Sequence, residues 1–280
     1  MPHSPTSQRK QRDRAKLWQD PDLAGIDILH AHYFTHSFSR HTHDGFAISI
    51  IEGGVGAFWY QGSVHASPAG YLGLLNPGEP HTGQVLSEAG WKYRALYVAP
   101  TVLQHVATEI ADRSWSNCWF PEPIVYDPQL AQTMRTLHQL LSETSSRLER
   151  ETVLLSVLAQ VLTRQAQNAP HVKHLEQEHW AVKQVREYIE AHYASNISLQ
   201  QLAQLVDLNP FHLAQVFCTT VGLPPHTYLN QVRVHQAKRL ILAGEAIAQA
   251  AYLTGFFDQS HLTRRFKQIL GCTPGQLLNH

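Results

Sequence analysis

Cysteine is scarce in this 280-residue chain. Three copies, Cys118, Cys218 and Cys272, stand without C-x-x-C spacing, which excludes a disulfide framework and a zinc-ribbon pattern and fits a reducing compartment. Charged residues make up only 16 %. No run approaches the roughly 18 consecutive apolar residues that span a bilayer, and the opening MPHSPTSQRKQRDRAKLW holds no apolar signal core. The expectation is a cytoplasmic protein, neither exported nor membrane-embedded. Neither sign of charge is in excess, with 22 Lys and Arg against 22 Asp and Glu, so the whole-chain balance gives no hint of a polyanion partner. A phosphate-binding glycine loop and a nucleophile–base constellation are both missing, so neither an enzyme nor a cofactor is expected.

What is present is globular: 43 % hydrophobic residues, and 19 histidines that form a titratable reserve just below neutral pH. At roughly 100–200 residues per domain the length suggests two domains. Residues 1–22, with Arg9, Lys10, Arg12, Arg14 and Lys16, read as a flexible solvated tail. From 23 to 100 the text breaks into short β-like runs, GIDILHAHYF, FAISIIEGG, GAFWYQG, YLGLL and KYRALYV, punctuated by Gly and Pro, which predicts a sandwich or small barrel. Over 101–167 the period becomes helical. Leu130, Met134, Leu137 and Leu141 line one stripe, and Val153, Leu154, Val157, Leu158, Val161 and Leu162 another. These stripes predict packing against the barrel. NAPHVKHLEQEH, 168–179, reads as a linker, and everything from 180 to 280 as helix.

Two helix-turn-helix units stand in the last hundred residues. In SLQQLAQLVDLNPFHLAQVFCTTVG (198–222), Ser198 caps a short helix that packs Leu202, Ala203 and Val206; Asn209 and Pro210 start a second helix, which stops at Gly222. The same grammar returns in EAIAQAAYLTGFFDQSHLTRRFKQILG (245–271), with Gly255 in the turn, Asp258 as cap and Gly271 as stop. Between them, 224–244 reads as holding a helix of about 19 residues, about 28 Å long at 1.5 Å rise per residue, which suits two reading helices held near one DNA turn apart.

The segment GFFDQSHLTRRFKQILGCTPGQL, extended upstream through VGLPPHTYLNQVRVHQAKRLI, resembles the signature of AraC/XylS transcription regulators almost position for position. The resemblance implies that the second helix of each unit enters consecutive major-groove segments of double-stranded promoter DNA. It places Gln259, Ser260, His261 and Arg264 at base edges, Arg264 on a guanine and Gln259 on an adenine, with Arg265 and Lys267 on phosphates. In the upstream unit the matching positions are Phe211, His212, Gln215 and Thr219; that helix has no Arg or Lys, so its phosphate anchoring is expected to be weaker. Residues 181–280 hold 8 basic and 5 acidic residues, so a surplus of +3 there is balanced by −3 in the remainder.

RHTHDGFAISIIEGGVGAFWYQG and GYLGLLNPGEPH resemble the two blocks of a cupin-type barrel, the sensor half of many AraC-like regulators. The fold class implied is α+β in two domains: an N-terminal cupin-like barrel with a helical hairpin, and a C-terminal all-α domain with two helix-turn-helix motifs. His41, His43 and His81 are expected to converge in the barrel, and alternation puts Phe46, Ile48, Phe58 and Tyr60 on inward faces, with Tyr93 nearby. The expected occupant is a small organic effector. Metal-binding cupins supply a carboxylate after the second His, where this chain has Ala47 and Ile48; a metal on His41, His43 and His81 is therefore the alternative, as a metal sensor or a cupin metalloenzyme fused to a DNA-binding domain. A nucleoid-associated regulator, an activator working with RNA polymerase as a homodimer and needing no membrane, completes the expectation.

Overall fold

The computed structural model describes residues 12–116, 118–170 and 179–278. It divides into two compact units, Met1–Leu103 with Trp119–Arg135, and Gln104–Cys118 with Thr136–His280. Most of the expected linker, 171–178, and Arg9 and Lys10 of the expected tail lie outside the described residues.

The first unit is β-rich. Its strands are β1 (Arg14–Gln19), β2 (Ile26–Tyr33), β3 (Ser37–His41), β4 (Phe46–Tyr60), β5 (Ser63–Pro68), β6 (Leu72–Leu75), β7 (His81–Val85), β8 (Trp91–Val98) and β9 (Ile124–Val125). One sheet runs β1-β2-β8-β4-β6-β9, and β3, β7 and β5 form a second with the far half of β4. The fifteen-residue β4 serves both sheets, and a register shift between Ile51 and Gly53 turns it from one to the other. Just beyond, a Cβ on Gly56 would fall 2.2 Å from the Trp91 ring, so the strand passes that indole only as glycine. β1 corrects the expectation of a tail through residue 22. It pairs with β2 from Arg14↔His32 to Gln19↔Asp27, while its side chains stay mostly exposed, so the main chain orders a segment whose composition reads as solvated.

Phe46 and Ile48 of β4 pair with Val98 and Leu96 of β8, and all four are buried. Burying each such side chain contributes about 1.5–3 kcal/mol.

The helices are α1 (Pro100–Ala111), α2 (Pro128–Ser142), α3 (Arg147–Gln165), α4 (His179–His192), α5 (Leu199–Leu205), α6 (Pro210–Val221), α7 (Pro225–Leu242), α8 (Ile247–Leu253), α9 (Gln259–Leu270) and α10 (Pro274–Leu278). Leu130, Met134 and Leu137 of α2, and Val157, Val161 and Leu162 of α3, are fully buried within the chain. These residues of the two stripes are thus buried within the chain. In the second unit Leu148 at the start of α3 joins a core made with α4, α5, α6 and Leu229 of α7. Farther along, Val234, Ala237 and Ile241 of α7 build another core with α8 and α9. One eighteen-residue helix therefore anchors both helix-turn-helix motifs.

Local chemistry sets those motifs. Ser198 forms a reciprocal capping box with Gln201, and the side chains of Asn209 and Asp258 accept the backbone N–H groups of His212 and His261; each cap is worth about 0.5–2 kcal/mol. Both second helices close on a left-handed glycine, Gly222 and Gly271. In the turn of the second motif Gly255 has φ +77, and a Cβ there would stand 2.5 Å from the Ala194 carbonyl oxygen. Only glycine allows this turn to close against the α4–α5 connection.

Candidate DNA-reading surface and effector cavity

On α9, Gln259, Ser260, Arg264 and Lys267 are exposed, and Arg265 is half-buried. Both arginines already hold carboxylates of the same unit. Arg264 pairs with Glu143 of the α2–α3 turn, and Arg265 Nη2 lies 2.6 Å from Glu149 Oε1 on α3. Glu149 is itself buried; desolvation pushes its carboxyl above the ordinary range, against the pull of Arg265. Neither acid stands out in the sequence, because SETSSRLERET crowds acidic and basic residues together between two apolar helices.

His261 does not reach the surface. It is 2 % exposed, its ring meets Phe256 edge-on with centroids 5.2 Å apart, and burial together with Arg265, Arg264 and Arg233 pushes its pKa down to about 4. His212 at the matching place in α6 is 3 % exposed, with Nδ1 2.9 Å from Asn209 Nδ2. Both rings stand at the third residue of their helices, where the side chain tucks back over the turn beneath the cap. The base-reading expectation is corrected for these two.

On α6, Gln215 and Thr219 are exposed and Phe211 is half-buried. The Thr219 hydroxyl donates to the Gln215 carbonyl at 2.9 Å. Phe211, Ala214, Gln215 and Cys218 form one wall of a groove of about 330 Å³; Thr152, Leu155, Ser156 and Ala159 of α3 belong to the other. Phe211 and Gln215 therefore border α3 across an open groove, and Gln215 and Thr219 remain exposed. Nearby, the Leu199 N–H of α5 donates to Glu151 Oε2 of α3 at 2.6 Å, and Asn209 Nδ2, at the cap of α6, donates to the Glu109 carbonyl of α1 at 3.3 Å.

The barrel interior holds a cavity of about 90 Å³. His41, His43, Phe58, His81 and Tyr93 line it, joined by Ala47, Ser49, Trp91 and Tyr97. Phe46, Ile48 and Tyr60 are corrections. Phe46 turns to the opposite face of β4 and packs edge-on against Phe120 at 5.4 Å, Ile48 is fully buried beside Leu96, and the Tyr60 hydroxyl accepts from Asn76 Nδ2 at 2.9 Å. Small side chains face inward on this stretch, and that leaves room for the cavity.

His43 Nε2 and His81 Nε2 are 3.2 Å apart, and one nitrogen from each of His41, His43 and His81 falls within 4.8 Å of the others. His41 Nδ1 lies 2.8 Å from the Ser39 carbonyl and His81 Nδ1 3.0 Å from that of Glu79, which fixes those Nδ1 atoms as donors. Burial, then His81 and His41, push His43 down to about 4, and burial lowers His81. His43 and His81 are thereby held neutral at pH 7, and the cluster of three rings fits either to hydrogen-bond a polar ligand or to hold a divalent transition metal. Burial raises the Tyr93 phenol, which stays protonated.

Comparison with known proteins places this geometry. An AraC-like ligand binding domain matches residues 23–158 and a helix-turn-helix domain residues 202–280. An uncharacterized HTH-type transcriptional regulator of Bacillus subtilis (strain 168), YbfI, is 30 % identical over 252 residues, 90 % of each chain. The chain belongs to the AraC family. The HTH-type transcriptional activator RhaS of Enterobacter sp. (strain 638) is 23 % identical over 250 residues, covering 86 % of this chain and 87 % of that one. Among solved structures, an apo point variant of ToxT from Vibrio cholerae strain SCE256 aligns over 92 % of this chain and 98 % of its own at 14 % identity, with a TM-score of 0.40. As an AraC-family member the chain is a helix-turn-helix, DNA-binding transcription regulator with a ligand-binding domain. Among the described residues no helix is long and apolar enough to cross a membrane.

Proposed function

We propose that this AraC-family regulator is a transcription activator that reads two adjacent major-groove segments through α6 and α9 and answers to a small effector in the barrel cavity. The observation that carries the reading is the exposed guanidinium of Arg264, on the outer face of a capped second helix and held by the Glu143 carboxylate. A guanine edge offers the same fork of acceptors. Arg264 exchanges Glu143 for DNA, with Gln259 and Ser260 beside it and Lys267 on a phosphate; Arg265 reaches a phosphate only after leaving Glu149. On α6 the readers are Phe211, Gln215 and Thr219. RNA polymerase and a second copy of the chain complete the assembly, and no catalytic step is assigned. Genomic footprinting with the wild type and Arg264→Ala tests this. The variant loses about 1–3 kcal/mol of binding and relaxes one base position; an unchanged footprint and affinity overturn the assignment.

His41, His43, Phe58, His81 and Tyr93 favour an effector of few atoms with hydrogen-bonding groups, since the cavity of about 90 Å³ lies well below the roughly 300 Å³ at which drug-sized pockets begin. A second reading, a sensor of a divalent transition metal, is favoured by the three imidazoles whose nitrogens lie within 4.8 Å of one another. Metal analysis of protein never exposed to chelator separates the two: stoichiometric zinc, iron, nickel or manganese supports the metal sensor.

A further inference from the structure

A larger pocket, of about 430 Å³, lies in the second unit among the α2–α3 turn, the α4–α5 turn and the turn of the second helix-turn-helix. It is separate from the barrel cavity and from the outer faces of α6 and α9. Arg147, Arg150, Arg233 and His261 line it, with Glu143 as the one carboxylate among the described residues of its wall. Arg147 pairs with Glu151 at 2.7 Å, and Arg150 donates to the Ser145 carbonyl at 2.6 Å.

Two buried groups in the wall ask for a ligand. Arg233 is 3 % exposed and donates to two main-chain carbonyls, Tyr193 at 2.7 Å and Ser195 at 2.9 Å. Carbonyl dipoles solvate a guanidinium but do not neutralise it; burial drags its pKa down to about 10, and the Glu149 carboxylate, itself paired with Arg265, offsets that burial only in part. His261 is 2 % exposed, and neither of its ring nitrogens has a hydrogen-bond partner among the described residues, whereas buried polar groups are as a rule hydrogen-bonded. A negative charge bearing several acceptor oxygens meets both needs at once. The nineteen-residue α3 begins at the same pocket behind its Ser146 cap, adding the positive end of a helix dipole.

We propose that this pocket binds a small anion, a carboxylate or phosphate compound, as a second effector site separate from the barrel. Its volume falls within the roughly 300–1,000 Å³ of small-molecule sites. Arg233 and His261 lie too deep for the backbone of a duplex. Through the DNA-reading role proposed above, occupancy gains a consequence: negative charge in the pocket repels Glu143, which shares its wall, and loosens the hold on Arg264. The binding itself does not depend on that role.

The test is a titration of the full-length protein with inorganic phosphate and with citrate at constant ionic strength, chloride as control, read by thermal shift and calorimetry. A saturable one-site response is expected from at least one of the two, with Tm raised by about 3 °C near saturation, and chloride gives none. Phosphate alone responding identifies a phosphate compound; citrate alone identifies a carboxylate. Phe257 lines the pocket and is 78 % exposed, so charge changes there leave the fold intact: Phe257→Glu weakens anion binding at least fivefold, and Phe257→Lys strengthens it. Flat titrations overturn the proposal, and so does a response indifferent to both variants. A loss of affinity for random-sequence duplex in Phe257→Glu together with flat anion titrations overturns it in favour of a DNA-phosphate contact. Failure of the Arg264 footprint experiment leaves these titrations unaffected, so the two readings fall separately.

Discussion

Glu149 on α3 and Arg265 on α9 stand 2.6 Å apart, with the carboxylate side chain only 4 % exposed. A carboxylate so buried is tolerated because a guanidinium meets it, and it ties the reading helix of the second motif to a helix 116 residues earlier in the chain. The neighbouring pair, Glu143 with Arg264, has both side chains about half exposed. The two pairs therefore differ in kind: one builds the fold, the other is open to exchange.

Glu149→Ala leaves Arg265 without its buried partner and is expected to cost about 3–5 kcal/mol, measured by chemical denaturation. Glu143→Gln is expected to change stability by no more than about 1 kcal/mol and to raise affinity for operator DNA in gel-shift titrations at fixed salt, because Arg264 no longer has to leave a carboxylate. Equal affinities for wild type and Glu143→Gln would mean that the pair does not compete with DNA.

Lys267→Ala should weaken binding to all sequences alike and reduce the slope of log K against log salt by about 1, whereas Gln215→Ala should alter base preference and leave the slope unchanged. Binding isotherms at four salt concentrations separate a phosphate contact from a base contact.

Protonation gives a third test. Burial and Arg265 push His226 and His261 down to about 4, while the unfolded chain holds them near 6.5. Between these values the unfolded state binds more protons, so stability is fully present above about pH 6.5 and is lost as pH falls toward 4. Unfolding at pH 5 is expected to take up nearly two protons through this pair, read from denaturation midpoints across pH 4–7. Replacing both by Gln should reduce the slope in that window by the share of this pair, leaving the part that His43 and His81 contribute.

Gly255→Ala is expected to destabilise the chain by more than about 1 kcal/mol, since it combines a left-handed φ with an approach of 2.5 Å to the Ala194 carbonyl oxygen. Ala at the left-handed Gly222, which has nothing within 4 Å of the added carbon, should cost less. A Tm series across the two variants decides it.

The helix-turn-helix motifs were legible residue by residue, because caps, the proline after Asn209 and the turn glycine act within one turn of helix. The barrel strands were legible as runs but not as faces. From Phe46 to Ile51 both alternating sets are largely apolar, so pattern alone favoured the bulky face, whereas the cavity lies over Ala47 and Ser49. His212 and His261 read as surface groups because polarity predicts exposure, while the third residue of a capped helix folds its side chain back. Glu143 and Glu149 find their arginines over more than a hundred residues of chain. β1 was hidden for another reason: its order comes from main-chain pairing, which composition does not record.

Because α7 contributes Leu229 to one core and Val234, Ala237 and Ile241 to the other, it works as a ruler. Its eighteen residues span about 27 Å, short of the roughly 34 Å that separates successive major-groove faces on straight DNA. If α6 and α9 read successive faces as proposed above, the duplex is expected to curve toward the protein, and operators with pliable pyrimidine–purine steps between the two read segments are expected to bind more tightly than stiff ones of identical contacted sequence.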